Sequence, residues 1–174
     1  MTVRLRLGTL KFDYFTKVIG LKYLSLKNND IRVIEGNVFE NLDQLTEIDL
    51  SNNPITNLEN NSLLFLPNEL SIDLSDSDIN EDILSKSNIE GNNGKLTVYL
   101  SNDKIGKLSR PQFEKYTNKG WKIHLDGNEL NCDWETVGWI LENIALKQFL
   151  IKAQCGGRYN NRENFSFNSL QQTQ

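Results

Sequence analysis

Residues 21–45 read Leu21-Lys-Tyr-Leu24-Ser-Leu26-Lys-Asn-Asn29-Asp-Ile31-Arg-Val-Ile34-Glu-Gly-Asn-Val-Phe39-Glu-Asn-Leu42-Asp-Gln-Leu45. Moved along the chain by about 24 residues, the same frame falls on Leu45, Ile48, Leu50, Asn53, Ile55, Leu58, Leu63 and Leu66. It continues with Ile72, Leu74, Ser77 and Ile79, then with Val98, Leu100, Asp103, Ile105, Leu108, Phe113 and Tyr116. A final copy holds Ile123, Leu125, Asn128 and Leu130. The apolar and Asn positions recur while the polar positions between them vary. A period in the twenties is the signature of a stacked solenoid.

Each copy carries one short alternating stretch, such as Leu24-Ser25-Leu26 or Ile48-Asp49-Leu50. Alternation sends apolar side chains to one face of a strand and polar ones to the other. One such strand cannot bury its apolar row, but stacked copies form a parallel sheet over a shared core. Asn29, Asn53 and Asn128 follow the last strand leucine by three residues. An inward amide there both donates and accepts, satisfying the backbone where it turns away from the sheet. Ser77 and Asp103 stand at that place in the two middle copies. Residues 75–95 are polar and contain Asn92-Asn93-Gly94, a turn signal, so a looser, irregular stretch is expected there.

On these residues the chain resembles the extracellular, or typical, class of leucine-rich repeat proteins, over roughly residues 7 to 170. The resemblance implies an α/β solenoid with a short parallel sheet on the concave face, an irregular convex side and a helical C-terminal cap. Residues 1–130 would hold about five repeats and a partial N-terminal unit, and residues 131–174 the cap. Leu7, Leu10, Phe15 and Val18 precede Ile31, Ile34, Phe39 and Leu42 by one period, so the strand of that first unit would begin before Met1. Val3 to Leu7 alternates and offers a substitute edge strand. The chain thus reads as the C-terminal part of a longer protein or as a divergent short copy.

Cys132 follows the last repeat, the stretch 133–144 sets Trp134, Val137, Leu141 and Ile144 at helical spacing, and Cys155 comes after it. This resembles the C-terminal cysteine cap of secreted leucine-rich repeat proteins, bonded first-to-third and second-to-fourth. Cys132 matches the first position and Cys155 the third. Trp134 stands at the second, and no fourth cysteine occurs before Gln174. The resemblance implies a Cys132–Cys155 bridge, worth roughly 3 kcal/mol in the chain-entropy model. The alternative is a pair of reduced thiols in a cytosolic protein. Trp121, Trp134 and Trp139 cluster around the cap in sequence and are expected to seal the end of the solenoid.

Composition narrows the function. At 174 residues the chain suits one domain with a workable core. Net charge is −4 with the basic residues dispersed, which gives no footprint for nucleic acid. No apolar run approaches a membrane span, and the N-terminal residues lack a secretory apolar core. Sequons occur at Asn60 and Asn164, though a chain this rich in Asn holds about two or three by chance. The single histidine, His124, has no second ligand at metal spacing. A Ser101–His124–Asp126 constellation lacks a nucleophile elbow. The acidic run Asp73, Asp76, Asp78 and Asn80 lacks the Gly and distal Glu of a calcium loop. No enzyme activity, cofactor or metal is expected.

A surface remains. The outward strand positions include Tyr23 and Ser25; Glu47, Asp49 and Ser51; Ser71, Asp73 and Ser75; Thr97, Tyr99 and Ser101; and Lys122 and His124. Stacking sets Asp49 beside Asp73, with Glu47 near and Tyr23 and Tyr99 flanking. The candidate binding residues are Tyr23, Glu47, Asp49, Asp73, Tyr99 and His124, an acidic centre between aromatics suited to a partly basic protein ligand. A solvated polar face without a partner explains the same residues equally well. The family resemblance implies an extracellular recognition module, secreted or part of a surface protein, that binds protein on its concave face. The alternatives are a structural or adhesive segment of a larger ectodomain and a cytosolic scaffold.

Overall fold

The computed structural model describes residues 6–131, 138–141 and 154–156. Its spine is a five-stranded parallel sheet made of β2 (Tyr23–Ser25), β4 (Glu47–Asp49), β6 (Ser71–Asp73), β7 (Thr97–Tyr99) and β8 (Lys122–His124), in that order. The central residues pair in register, Leu24 with Ile48, Ile48 with Ile72, Ile72 with Val98 and Val98 with Ile123. Those five, and the row Leu26, Leu50, Leu74, Leu100 and Leu125, are all buried. Each such side chain contributes about 1.5–3 kcal/mol of burial. The expected solenoid frame is therefore the observed one.

A second parallel ladder lies away from this sheet: β1 (Thr9–Leu10), β3 (Val33–Ile34) and β5 (Asn57–Leu58). It aligns Leu10, Ile34 and Leu58, all fully buried, one period apart. Phe15, in the partial first unit, packs on Phe39 with ring centroids 6.4 Å apart. The side opposite the main sheet is thus regular in the first repeats. The proposed edge strand at Val3–Leu7 falls mostly outside the described residues, and Arg6 and Leu7 are not strand.

Later repeats carry helices instead. Residues 75–95, expected to be loose, contain α1 (Glu81–Lys86) and a 3-10 turn at Ile89–Gly91. Asn80 caps α1 by accepting from the Ile83 N–H at 2.8 Å, with Glu81 and Asp82 in the first turn and Lys86 in the last. Those placements suit the helix dipole. Asn92, read as a turn residue, is interior. Its Oδ1 accepts from Leu66 N at 2.8 Å, and its Nδ2 donates to Leu63 O and to Ile89 O at 2.6 and 2.7 Å. In the next repeat α2 (Arg110–Asn118) buries Phe113 and Tyr116.

The asparagine ladder forms where expected. Asn53 Oδ1 accepts from Asn29 N at 2.9 Å and Ile31 N at 3.1 Å, and its Nδ2 donates to Leu26 O at 3.0 Å and Leu50 O at 2.7 Å. Asn128 repeats the pattern, accepting from Ile105 N and donating to Leu100 O and Leu125 O. Asp103 reproduces only half of it. Its Oδ1 accepts from Ser77 N at 2.9 Å and Ile79 N at 3.1 Å, but its Oδ2 is buried with no partner among the described residues. An amide NH2 stands at that place in Asn53 and Asn128, and an ionised carboxylate cannot donate. Burial holds the Asp103 carboxyl up at about 7, against the two backbone N–H bonds and with Asp76 and Asp78 adding to the rise.

Between strand and ladder each repeat turns through a left-handed residue: Asn28, Asn52, Asp76 and Asn102, at φ from 55° to 59°, then Gly127 at 72°. Asn, Asp and Gly are the residues that tolerate this region. A Cβ at Gly127 would lie 2.0 Å from Asn102 Oδ1, so a side chain there would have to displace that amide.

At the C-terminal end, β9 (Glu129–Asn131) pairs in parallel with β10 (Gln154–Gly156), setting the backbone of Cys155 opposite Leu130. Cys132 and most of the expected cap helix lie outside the described residues, as does Trp134; α3 is described only at Trp139–Leu141. Trp139 meets Phe113 edge-on, centroids 5.7 Å apart. Trp121 does not belong to the cap. It is fully buried at the repeat position of Leu70 and Leu96, two residues before the strand's central residue, stacked on Tyr116, with Nε1 donating to Gly94 O at 2.6 Å.

Candidate functional site

The outward side chains of the main sheet form two rows, fixed by strand register. One row runs Tyr23, Glu47, Ser71, Thr97, Lys122, and the other Ser25, Asp49, Asp73, Tyr99, His124. Neighbours within a row are ~4.8 Å apart and the rows ~7 Å apart. Four of the six candidate residues, Asp49, Asp73, Tyr99 and His124, therefore share one row. Tyr23 and Glu47 are adjacent in the other.

The Tyr99 and His124 rings stack, centroids 4.3 Å apart and 18° from parallel. Sequence showed both as outward, but their contact depends on the register between β7 and β8. Tyr23 is half exposed at the sheet edge. The acidic centre is partly committed to the protein itself. Asp49 Oδ1 accepts from the Ser51 N–H at 3.0 Å and hydroxyl at 2.7 Å, while Oδ2 accepts from Ser25 Oγ at 3.3 Å. Asp73 Oδ1 likewise accepts from Ser75 N at 2.9 Å. Both aspartates hold the turn that follows their strand. Ser51, expected to point outward, is buried by this bond.

The acidic run beyond the sheet also has local work. Asp78 pairs with Lys104 at 2.8 Å, and Asn80 caps α1. Asn28, Asp30, Asn52, Pro54, Asp76 and Asp78 line a shallow polar groove bordering the sheet. Phe65 is a surface residue that sequence did not single out: half exposed, with φ 62°. An aromatic side chain rarely adopts that conformation. Among the described residues no helix is long and apolar enough to cross a membrane.

A leucine-rich repeat family model matches residues 6–55 and 19–79. No curated protein matches the chain. Among solved structures, the crystal structure of human 5T4 (Wnt-activated inhibitory factor 1, trophoblast glycoprotein) is similar over 87% of this chain and 78% of that one, at 16% identity and a TM-score of 0.36. That likeness is loose; the assignment rests on the repeat match and on the register that carries the same frame through β8. Residues 6–79 thus carry matched leucine-rich repeats, and the parallel ladder continues the same repeat frame through β8.

Proposed function

We propose that this protein is the recognition module of a secreted or cell-surface protein and holds a protein ligand against its sheet face. The observation that carries the reading is the row Asp49, Asp73, Tyr99, His124, with Glu47 and Tyr23 beside it. Different chemistries stand side by side on a backbone that is the same in every repeat. Side chains there vary without altering the fold, as recognition requires. Carboxylates next to a stacked Tyr–His pair suit a partner presenting a cation on a planar or apolar stem, above all arginine. Leucine-rich repeats are in general protein-interaction modules and typically not enzymes.

The face sets a limit on affinity. Five three-residue strands at ~4.8 Å spacing and about 10 Å of strand length give about 190 Å², against ~800 Å² per partner in a standard interface. A tight ligand must therefore also cover the bordering turn row Asn28, Asn52, Asp76 and Asn102, or the cap. We assign residues 1–130 to the repeats and 131–174 to a cap closed by a Cys132–Cys155 bridge. The pairing of Cys155 with Leu130, close in sequence to Cys132, supports that bridge.

The test is selection of a partner from an array of ectodomains, followed by association kinetics with Asp73→Lys and Tyr99→Ala. Both variants should slow or weaken binding while the circular dichroism spectrum is retained. A partner bound equally well by both would remove the sheet face from consideration.

A further inference from the structure

Three repeats place a left-handed asparagine at one point of the frame: Asn37 (φ 61°), Asn61 (φ 66°) and Asn88 (φ 54°). Hydrogen bonds tie them together, Asn37 N donating to Asn61 O at 3.2 Å and Asn88 Nδ2 to Asn61 Oδ1 at 2.8 Å. The next residue in each repeat is interior: Val38, Ser62 and Ile89, at 2%, 0% and 1% exposure. The position calls for an apolar side chain, and one repeat in three supplies serine. Among the described residues the Ser62 hydroxyl has no hydrogen-bond partner. A buried, unpartnered hydroxyl is a cost that alanine would remove.

The folded chain thus has no use for this hydroxyl, but the unfolded chain does. Asn60-Asn61-Ser62 is an Asn-x-Ser acceptor, in which the hydroxyl is read on the extended chain before folding. Asn60 itself is exposed, in the turn just after β5. It lies about midway along the chain between Asp49 and Ser71, just past the end of a ladder separate from the main sheet. We propose that Asn60 is an N-glycosylation site, with Ser62 kept as its sequon hydroxyl, and that the glycan occupies the edge of the solenoid remote from the binding face. The proposal rests on the extracellular reading above.

In the transfer, Asn60 Nδ2 bonds to the anomeric carbon of a sugar carried as a polyprenyl diphosphate. The bond from that carbon to the diphosphate oxygen breaks, the diphosphate leaves with the electron pair, and one amide proton passes to base. Ser62 is a positioning residue for this step.

The experiment is peptide mass spectrometry of the full chain from its native source, after enzymatic deglycosylation in ¹⁸O water, which converts each occupied Asn to labelled Asp. Label at Asn60 is expected. In the same host Ser62→Thr should keep the label and Ser62→Ala should abolish it, and with both proteins made in a host that attaches no N-glycan, Ser62→Ala should show an unchanged or higher Tm. A Tm several degrees lower for Ser62→Ala would show that the hydroxyl serves the fold, and would overturn the proposal. An unlabelled Asn60 in protein that carries label at Asn164 or an oxidised Cys132–Cys155 pair overturns the proposal and leaves the extracellular reading standing. No label at either sequon together with reduced cysteines overturns both.

Discussion

Asp103→Asn should stabilise the protein at neutral and alkaline pH and leave it unchanged in acid. The wild-type carboxyl presents Oδ2, buried and without a donor partner, where Asn53 and Asn128 present an NH2 to the carbonyls of two repeats. Its proton is held up to about 7 in the fold, against an ordinary 3.8. The sign follows from linkage. A raised carboxyl binds more protons in the native state than in the unfolded one, so its contribution is fully present below about 3.8. It is then lost progressively as pH rises to about 7. The full gap is worth at most about 4 kcal/mol, and because the side chain is only half-buried we expect on the order of 2 kcal/mol. Asp76 and Asp78 face the group and oppose its ionisation, and Lys104 is already paired with Asp78. The assay is urea unfolding of both proteins from pH 4 to 8.5. The difference between them cancels every other titrating group and should grow from near zero to about 2 kcal/mol. A pH-independent difference, or a less stable variant at pH 8, would refute the reasoning.

Leu50→Ala, which empties a fully buried core position, should cost about 2–5 kcal/mol in denaturant. Asp49→Ala next door should cost about 1 kcal/mol, because the turn at Ser51 loses its acceptor. Asn53→Ala orphans the N–H groups of Asn29 and Ile31 and should cost about 3 kcal/mol or more, read as a lowered urea midpoint with unchanged slope. Trp121→Phe keeps the stack on Tyr116 but loses the bond to Gly94 O, and should cost about 1–2 kcal/mol by the same measurement.

The main sheet was legible because its signal is periodic and repeated. Leu24, Ile48, Ile72, Val98 and Ile123 each mark a strand, and one register satisfies them all. Asn53 and Asn128 were legible for the same reason. The helix α1 was missed although its signals were in the chain: Asn80 as cap, Glu81 and Asp82 in the first turn, Lys86 in the last. The polar composition of residues 75–95 outweighed them. Trp121 was read with the cap because it is near Trp134 and Trp139 in sequence, whereas its place two residues before a strand centre already matched Leu70 and Leu96. At the site, outwardness could be read but commitment could not. That Asp49 and Asp73 brace their own turns, and that Tyr99 and His124 stack, depends on angles and distances that alternation does not encode.

The most direct test of the central claim is a binding scan over two faces of one solenoid. Once an ectodomain partner is selected, each outward position of the main sheet and each exposed position of the opposite ladder is replaced in turn, and dissociation constants are measured. Our account predicts losses of tenfold or more, about 1.4 kcal/mol, confined to Asp73, Tyr99, His124 and their row neighbours. Arg32, Thr56 and Asn57, on the other ladder, should be silent. Losses that map to that ladder and spare the Asp73–Tyr99–His124 row would contradict it.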